Sequence, residues 1–124
     1  ILGLADIPVL IETGPEVVSG STRMGAATAQ KVALNMLSVL VGIRLGHVHD
    51  GYMVNVVADN AKLVDRAARI VAAVAQVPRS AAETALQQTH GAVKPAILVA
   101  RGHSPDDAQK ALERTGGHLA DLID

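Results

Sequence analysis

The chain has 124 residues, sets 11 Lys and Arg against 12 Asp and Glu for a formal net charge of -1, and contains no cysteine. Lacking a basic excess, it has no electrostatic footprint for nucleic acid; lacking cysteine, it has no disulfide or thiolate chemistry, which fits a reducing cytoplasmic setting. Hydrophobic residues make up 49% but aromatics only 1%, so the core must be built from Ala, Val, Leu, Ile and Met, a palette suited to close helix packing.

The chain opens with Ile1-Leu2-Gly3, without an initiator methionine, as if cut from something longer. Val9-Leu10-Ile11 is a short apolar run between Pro8 and Thr13-Gly14-Pro15, which predicts a buried strand of the parallel-sheet kind. Such a strand needs partners. Next comes GPEVVSGSTRMGAATAQK at residues 14–31, a turn rich in Gly, Ser and Thr ahead of an apolar stretch.

Residues 28–45 predict a long helix. Thr28, Lys31, Asn35, Ser38 and Gly42 are its exceptions to an apolar run, and their steps of three and four place them on one face. Burial on most sides is expected, with a polar seam that either packs on a neighbour or offers Lys31 to a ligand. Asn35, Ser38 and Arg44 make the stretch too polar for a membrane span.

Gly46 closes the helix, and Asp50-Gly51 turns the chain into an extended stretch over 52–57. Asp59 or Asn60 caps a helix reaching to about Val77, with Leu63, Ala67, Ile70 and Val74 inside and Lys62, Asp65, Arg66 and Arg69 outside. Asp65 and Arg69 are spaced for a modest surface pair. Beyond Pro78, Ser80 and Glu83 have capping-box spacing and start a helix ending at His90-Gly91. Residues 94–101 form a short apolar segment before Gly102. Ser104-Pro105-Asp106-Asp107 then supplies a cap, a first-turn proline and two acids to a helix ending at Gly116-Gly117, with a final turn over 119–123. No internal repeat or low-complexity tract is legible.

The chemistry concentrates in residues 14–31. Free amides at a helix start attract anions, Ser19, Ser21 and Thr22 can donate hydroxyl protons, and Arg23 can pair with a phosphate in two-pronged fashion. Ordinary capping accounts for the same hydroxyls. Glu16, at the strand end where open parallel sheets place their ligands, is a candidate acid/base group or simply a first-turn acid. His47 and His49 face one side of an extended segment, but no third ligand has a recognisable spacing, so a metal site is not expected. No serine sits in a G-x-S-x-G elbow.

The stretches GPEVVSGSTRM and AATAQK, then ALNMLSV, RLG and NAKLVDRAARIV, resemble the C-terminal part of the N-acetylmuramic acid 6-phosphate etherases and of their relatives, the glucokinase regulatory proteins. Both belong to the sugar isomerase (SIS) superfamily. The resemblance runs over nearly the whole chain and is strongest over residues 14–70. It implies a mainly α fragment: residues 1–58 as the C-terminal piece of an α/β, parallel-sheet SIS domain, and residues 59–124 as a small helical domain. It also implies a phosphorylated amino sugar, for which Ser19, Ser21, Thr22, Arg23 and Lys31 are the candidate contacts, and cleavage of its D-lactyl ether by elimination and water addition. The family carries its acid/base glutamates upstream of the matched region; Glu16 is the local candidate, with Glu12 the nearest other acid. No metal or other cofactor is implied, whereas a cytoplasmic homodimer is. Family members usually have lysine where this chain has Gly25. That departure keeps open a regulatory protein that binds a phosphosugar without turnover. A third alternative is a helical protein-interaction module formed by the last helices.

Overall fold

Glycine, proline and small polar residues punctuate this chain, and the helices fall between them. The structure, a computed structural model, describes residues 2–123. A short 3-10 turn, Leu2–Leu4, precedes α1 (Ala26–Arg44), β1 (Val48–His49), β2 (Tyr52–Met53), α2 (Ala61–Ala75), α3 (Arg79–Gln88), α4 (Val93–Ala100), α5 (Pro105–Arg114) and α6 (Ala120–Ile123). The protein is mainly helical, as composition and periodicity led one to expect. It divides into two compact units, Ile1–Val41 and Gly42–Asp124. That division falls inside α1.

The first unit holds an extended segment, a loop and most of α1. Val9, Leu10 and Ile11 form no strand and stay exposed, contrary to expectation, because a strand needs a hydrogen-bonded neighbour and none of the described residues supplies one. The only sheet among the described residues is the antiparallel pair β1 and β2. No residue of α1 is buried, which overturns the expected burial on most sides: apolar side chains leave water only where a second layer covers them. With 19 residues and a mean hydropathy of 1.4, α1 also has the length and composition of a membrane span. Its polar interruptions, read above as excluding one, do not bring the average low enough.

In the second unit, Asp50 (φ 46°) and Gly51 (φ 76°) make the two-residue turn that pairs Val48 with Met53 and His49 with Tyr52. The chain then runs to the isolated bridge between Val57 and Ala92. There the Ala58 amide donates to the Gly91 carbonyl at 2.9 Å and the Val93 amide to Val56 at 3.0 Å. These bonds tie residues 56–58 to the helices that follow. A Cβ on Gly91 would lie 2.8 Å from the Ala58 carbonyl oxygen, and its φ is +82°, so both space and backbone require glycine.

Asn60 caps α2 as expected, accepting from the Leu63 amide. Ala67, Ile70, Val71 and Val74 of α2 pack with Leu86, Val93, Ile97, Leu98 and Leu112 in one core. Ser104 caps α5, accepting from the Asp107 amide at 3.1 Å. The expected capping box at Ser80 and Glu83 does not form. The Pro78 carbonyl already accepts from the Ala81 and Ala82 amides, which places Ser80 inside α3, and Glu83 is taken by Arg79 at 2.7 Å. Arg79 also reaches Asp65 at 2.8 Å, joining the expected Asp65–Arg69 pair into a surface network.

An internal repeat, invisible above, emerges from the backbone. Residues 82–97 and 108–123 share one pattern, matching Ala82, Ala85, Leu86, Thr89 and Gly91 with Ala108, Ala111, Leu112, Thr115 and Gly117. Both helices end alike: the Gly91 amide donates to Leu86 at 2.8 Å and the Gly117 amide to Leu112 at 2.7 Å, each after a residue in left-handed conformation, His90 or Gly116. This is a Schellman ending. The hydroxyls of Thr89 and Thr115 then reach the carbonyls of Ala92 and His118, at 3.0 and 2.9 Å, bracing the two turns in the same way.

Candidate functional site

The loop ahead of α1 is shaped by local hydrogen bonds. The Ser21 amide donates to the Val18 carbonyl at 3.0 Å, closing a tight turn in which Gly20 takes φ 82°. The Ser21 hydroxyl oxygen accepts from the Arg23 amide at 3.3 Å. Thr22 turns its carbonyl to the Ala27 amide at 2.8 Å, and the Thr28 hydroxyl donates to the Arg23 carbonyl at 3.4 Å.

Glu16 reaches the start of α1 from the far side of this loop. Its Oε2 accepts from the Gly25 amide at 2.9 Å and its Oε1 from the Ala26 amide at 3.0 Å. The amides of Ala26 and Gly25, with that of Met24, hold its carboxyl below the usual carboxylate range, outweighing an opposing effect of burial. A Cβ on Gly25 would stand only 3.3 to 3.4 Å from that carboxylate.

Within the same unit, Val9, Ile11, Thr22, Ala26, Ala33 and Leu37 border a mostly apolar cleft of about 640 Å³. The structure thus brings Glu16, Ser21, Thr22 and Arg23 together around one helix end. Ser21 is half-buried, Thr22 and Arg23 are exposed, and Thr22 borders the cleft. Ser19 is exposed on the loop and Lys31 is exposed farther along α1. Hydroxyls and a guanidinium beside an apolar cleft are chemistry able to hold an anionic group on a partly apolar ligand.

Among the described residues no group of three His, Cys, Asp or Glu side chains is arranged to hold a metal ion. His47 immediately precedes β1 and His49 lies in it, and the His47 carbonyl accepts from the Val54 amide at 2.9 Å. Sequence reasoning missed Lys94. Its ammonium donates to the Gly117 carbonyl at 2.8 Å, linking the two copies of the repeat, and burial holds its pKa below the usual lysine range. Its only sequence signal is a basic residue in an apolar segment.

No family model matches the chain. It is similar to the N-acetylmuramic acid 6-phosphate etherase of Deinococcus radiodurans, 44% identical over 124 residues that make up 99% of this chain and 41% of the relative. It is 47% identical to the proteins of that name in Yersinia pestis and Yersinia pseudotuberculosis, over 93% of this chain and 39% of each relative. The chain therefore spans about two fifths of the length of the curated relatives it matches. With 44–47% identity over nearly all its residues, this chain is a homologue of the N-acetylmuramic acid 6-phosphate etherases and fits a C-terminal part of that family.

Proposed function

We propose that this chain is the C-terminal part of a cytoplasmic N-acetylmuramic acid 6-phosphate etherase and supplies part of the site for its phosphorylated amino sugar. The carrying observation is the 44% identity over 99% of the chain. The loop geometry supports it: Ser21, Thr22 and Arg23 gather at the start of α1 beside an apolar cleft. Ser19 and Lys31 complete the proposed phosphate contacts, and residues 1–58 belong to a SIS domain that precedes a small helical domain at 59–124. The overall reaction adds water across the ether link, releasing D-lactate and N-acetylglucosamine 6-phosphate. Its acid/base glutamates lie outside these residues, so the 124 residues alone are inactive. The working protein is a homodimer, in which the apolar surface of α1 is covered.

The test is an assay of the full-length protein with N-acetylmuramic acid 6-phosphate, reading D-lactate enzymatically and the sugar product by mass spectrometry. Release of both in equal amounts is the expected result. Gly25 supports a second reading, a regulatory protein that binds the phosphosugar without turnover, because a lysine in its place would bring a cation to the loop. Tight binding of the sugar phosphate with no lactate released would favour that reading.

A further inference from the structure

The loop assigned to the phosphosugar owes its shape to one side chain outside the hydroxyl cluster. A helix start leaves four amides without partners inside the helix, and Glu16 answers two neighbouring ones with its two oxygens, at 2.9 Å to Gly25 and 3.0 Å to Ala26. A carboxylate bound at both oxygens is fixed in orientation. Gly25 admits it, since any side chain there would begin 3.3 Å from Oε1. Between Glu16 and Ala26 the chain is braced by Ser21 to Val18, Arg23 to Ser21 and Ala27 to Thr22. Glu16 therefore closes a ring of backbone that carries Ser19, Ser21, Thr22 and Arg23, four of the proposed phosphate contacts.

Resting on the phosphosugar reading above, we propose that Glu16 is a positioning residue: its carboxylate closes residues 16–26 into a ring and so presents Ser21, Thr22 and Arg23 to the phosphate, without itself touching substrate or moving a proton. Its low pKa suits a permanent acceptor, since a group that stays ionised has no proton to give. A consequence is that the Gly25 and Ala26 amides are already engaged. The phosphate is met by hydroxyls, the Arg23 guanidinium and the Lys31 ammonium, and the helix end contributes through its field alone.

The test uses the full-length protein and its Glu16→Gln and Glu16→Asp variants. Glutamine keeps one acceptor but turns an NH2 toward an amide donor, and aspartate keeps the charge one methylene short. Hydrogen exchange across residues 22–30, followed by mass spectrometry, reads the ring. Calorimetric binding of N-acetylglucosamine 6-phosphate and initial rates with N-acetylmuramic acid 6-phosphate read its consequence. Loss of a charge-assisted bond is expected to speed exchange in that segment, weaken sugar-phosphate binding and raise KM, each about tenfold, while kcat stays within about threefold. Exchange elsewhere should not change; if Glu16→Gln fails to fold, Glu16→Asp reads the same quantities.

A fall in kcat at unchanged KM would overturn the proposal by placing Glu16 in the chemistry. Unchanged exchange and KM in an active protein would overturn it alone, leaving the functional reading intact. If the unsubstituted protein neither binds nor cleaves the phosphosugar, that reading falls and takes the presenting role with it.

Discussion

The two units differ in what they do with apolar residues. Every buried apolar side chain among the described residues, from Val54 to Leu119, lies in the second unit, while Val32, Leu34, Leu37, Val39 and Leu40 of α1 are all more than 45% exposed. Yet α1 is apolar enough to pass for a membrane span. Content is therefore not what makes a core. In α2, the residues Ala67, Ile70, Val71 and Val74 mark one side for burial and Asp65, Arg66 and Arg69 mark the other for water. α1 marks almost no side for water, so it needs cover from several directions, which its own unit does not provide.

Separating the units gives the largest expected contrast. Residues 42–124 expressed alone should keep helical circular dichroism and melt cooperatively, and residues 1–41 alone should show neither. A structured first piece would mean that α1 finds cover within its own unit. Point substitutions sharpen the contrast in the whole chain. Ile97→Ala removes a fully buried side chain of α4 and should cost about 2–5 kcal/mol in urea unfolding. Leu37→Ala, at a position 58% exposed, should stay within about 0.5 kcal/mol. Equal costs would erase the distinction.

The smallest expected effect is at the surface of the second unit. Hydrogen bonding from Arg79, then the charge of Arg69, holds the Asp65 carboxyl below its ordinary range. A depressed native pKa means the contribution is present above the unfolded pKa and lost as pH falls through the folded value. The small stability advantage of the unsubstituted chain over Asp65→Asn should therefore be visible at neutral pH. It should begin to fall as pH drops below about 4, vanish only once the carboxyl is also protonated in the folded chain, and shrink in high salt, read as paired melting temperatures. An advantage that persists in acid would show that charge is not its source.

Local signals made much of the second unit legible. Asn60 and Ser104 announce their helices because a cap acts on amides within the next few residues. The capping box at Ser80 misled because Arg79 competes for Glu83 and the Pro78 carbonyl starts the helix earlier. The repeat stayed hidden because its shared residues are those facing the core or bracing the turn, while exposed or linking positions diverged, His90 against Gly116 and Lys94 against Ala120. Within the candidate site, Ser21, Thr22 and Arg23 were legible as a cluster. The reach of Glu16 was not, since its partners are backbone amides nine and ten residues away, and an amide carries no residue signature.

The matched turns after α3 and α5 also bear on how the chain reaches its final shape. To a collapsing chain, the leucine, threonine and glycine of one turn are nearly interchangeable with those of the other, so α4 and α6 meet two docking places that look alike. Unshared contacts tell them apart, among them Ala58 against Gly91 at the first turn and the Lys94 ammonium on Gly117 at the second. Such contacts act as keys against misassembly, within one chain and between crowded copies of it, where exchange of equivalent halves is a characteristic failure of repeated architectures.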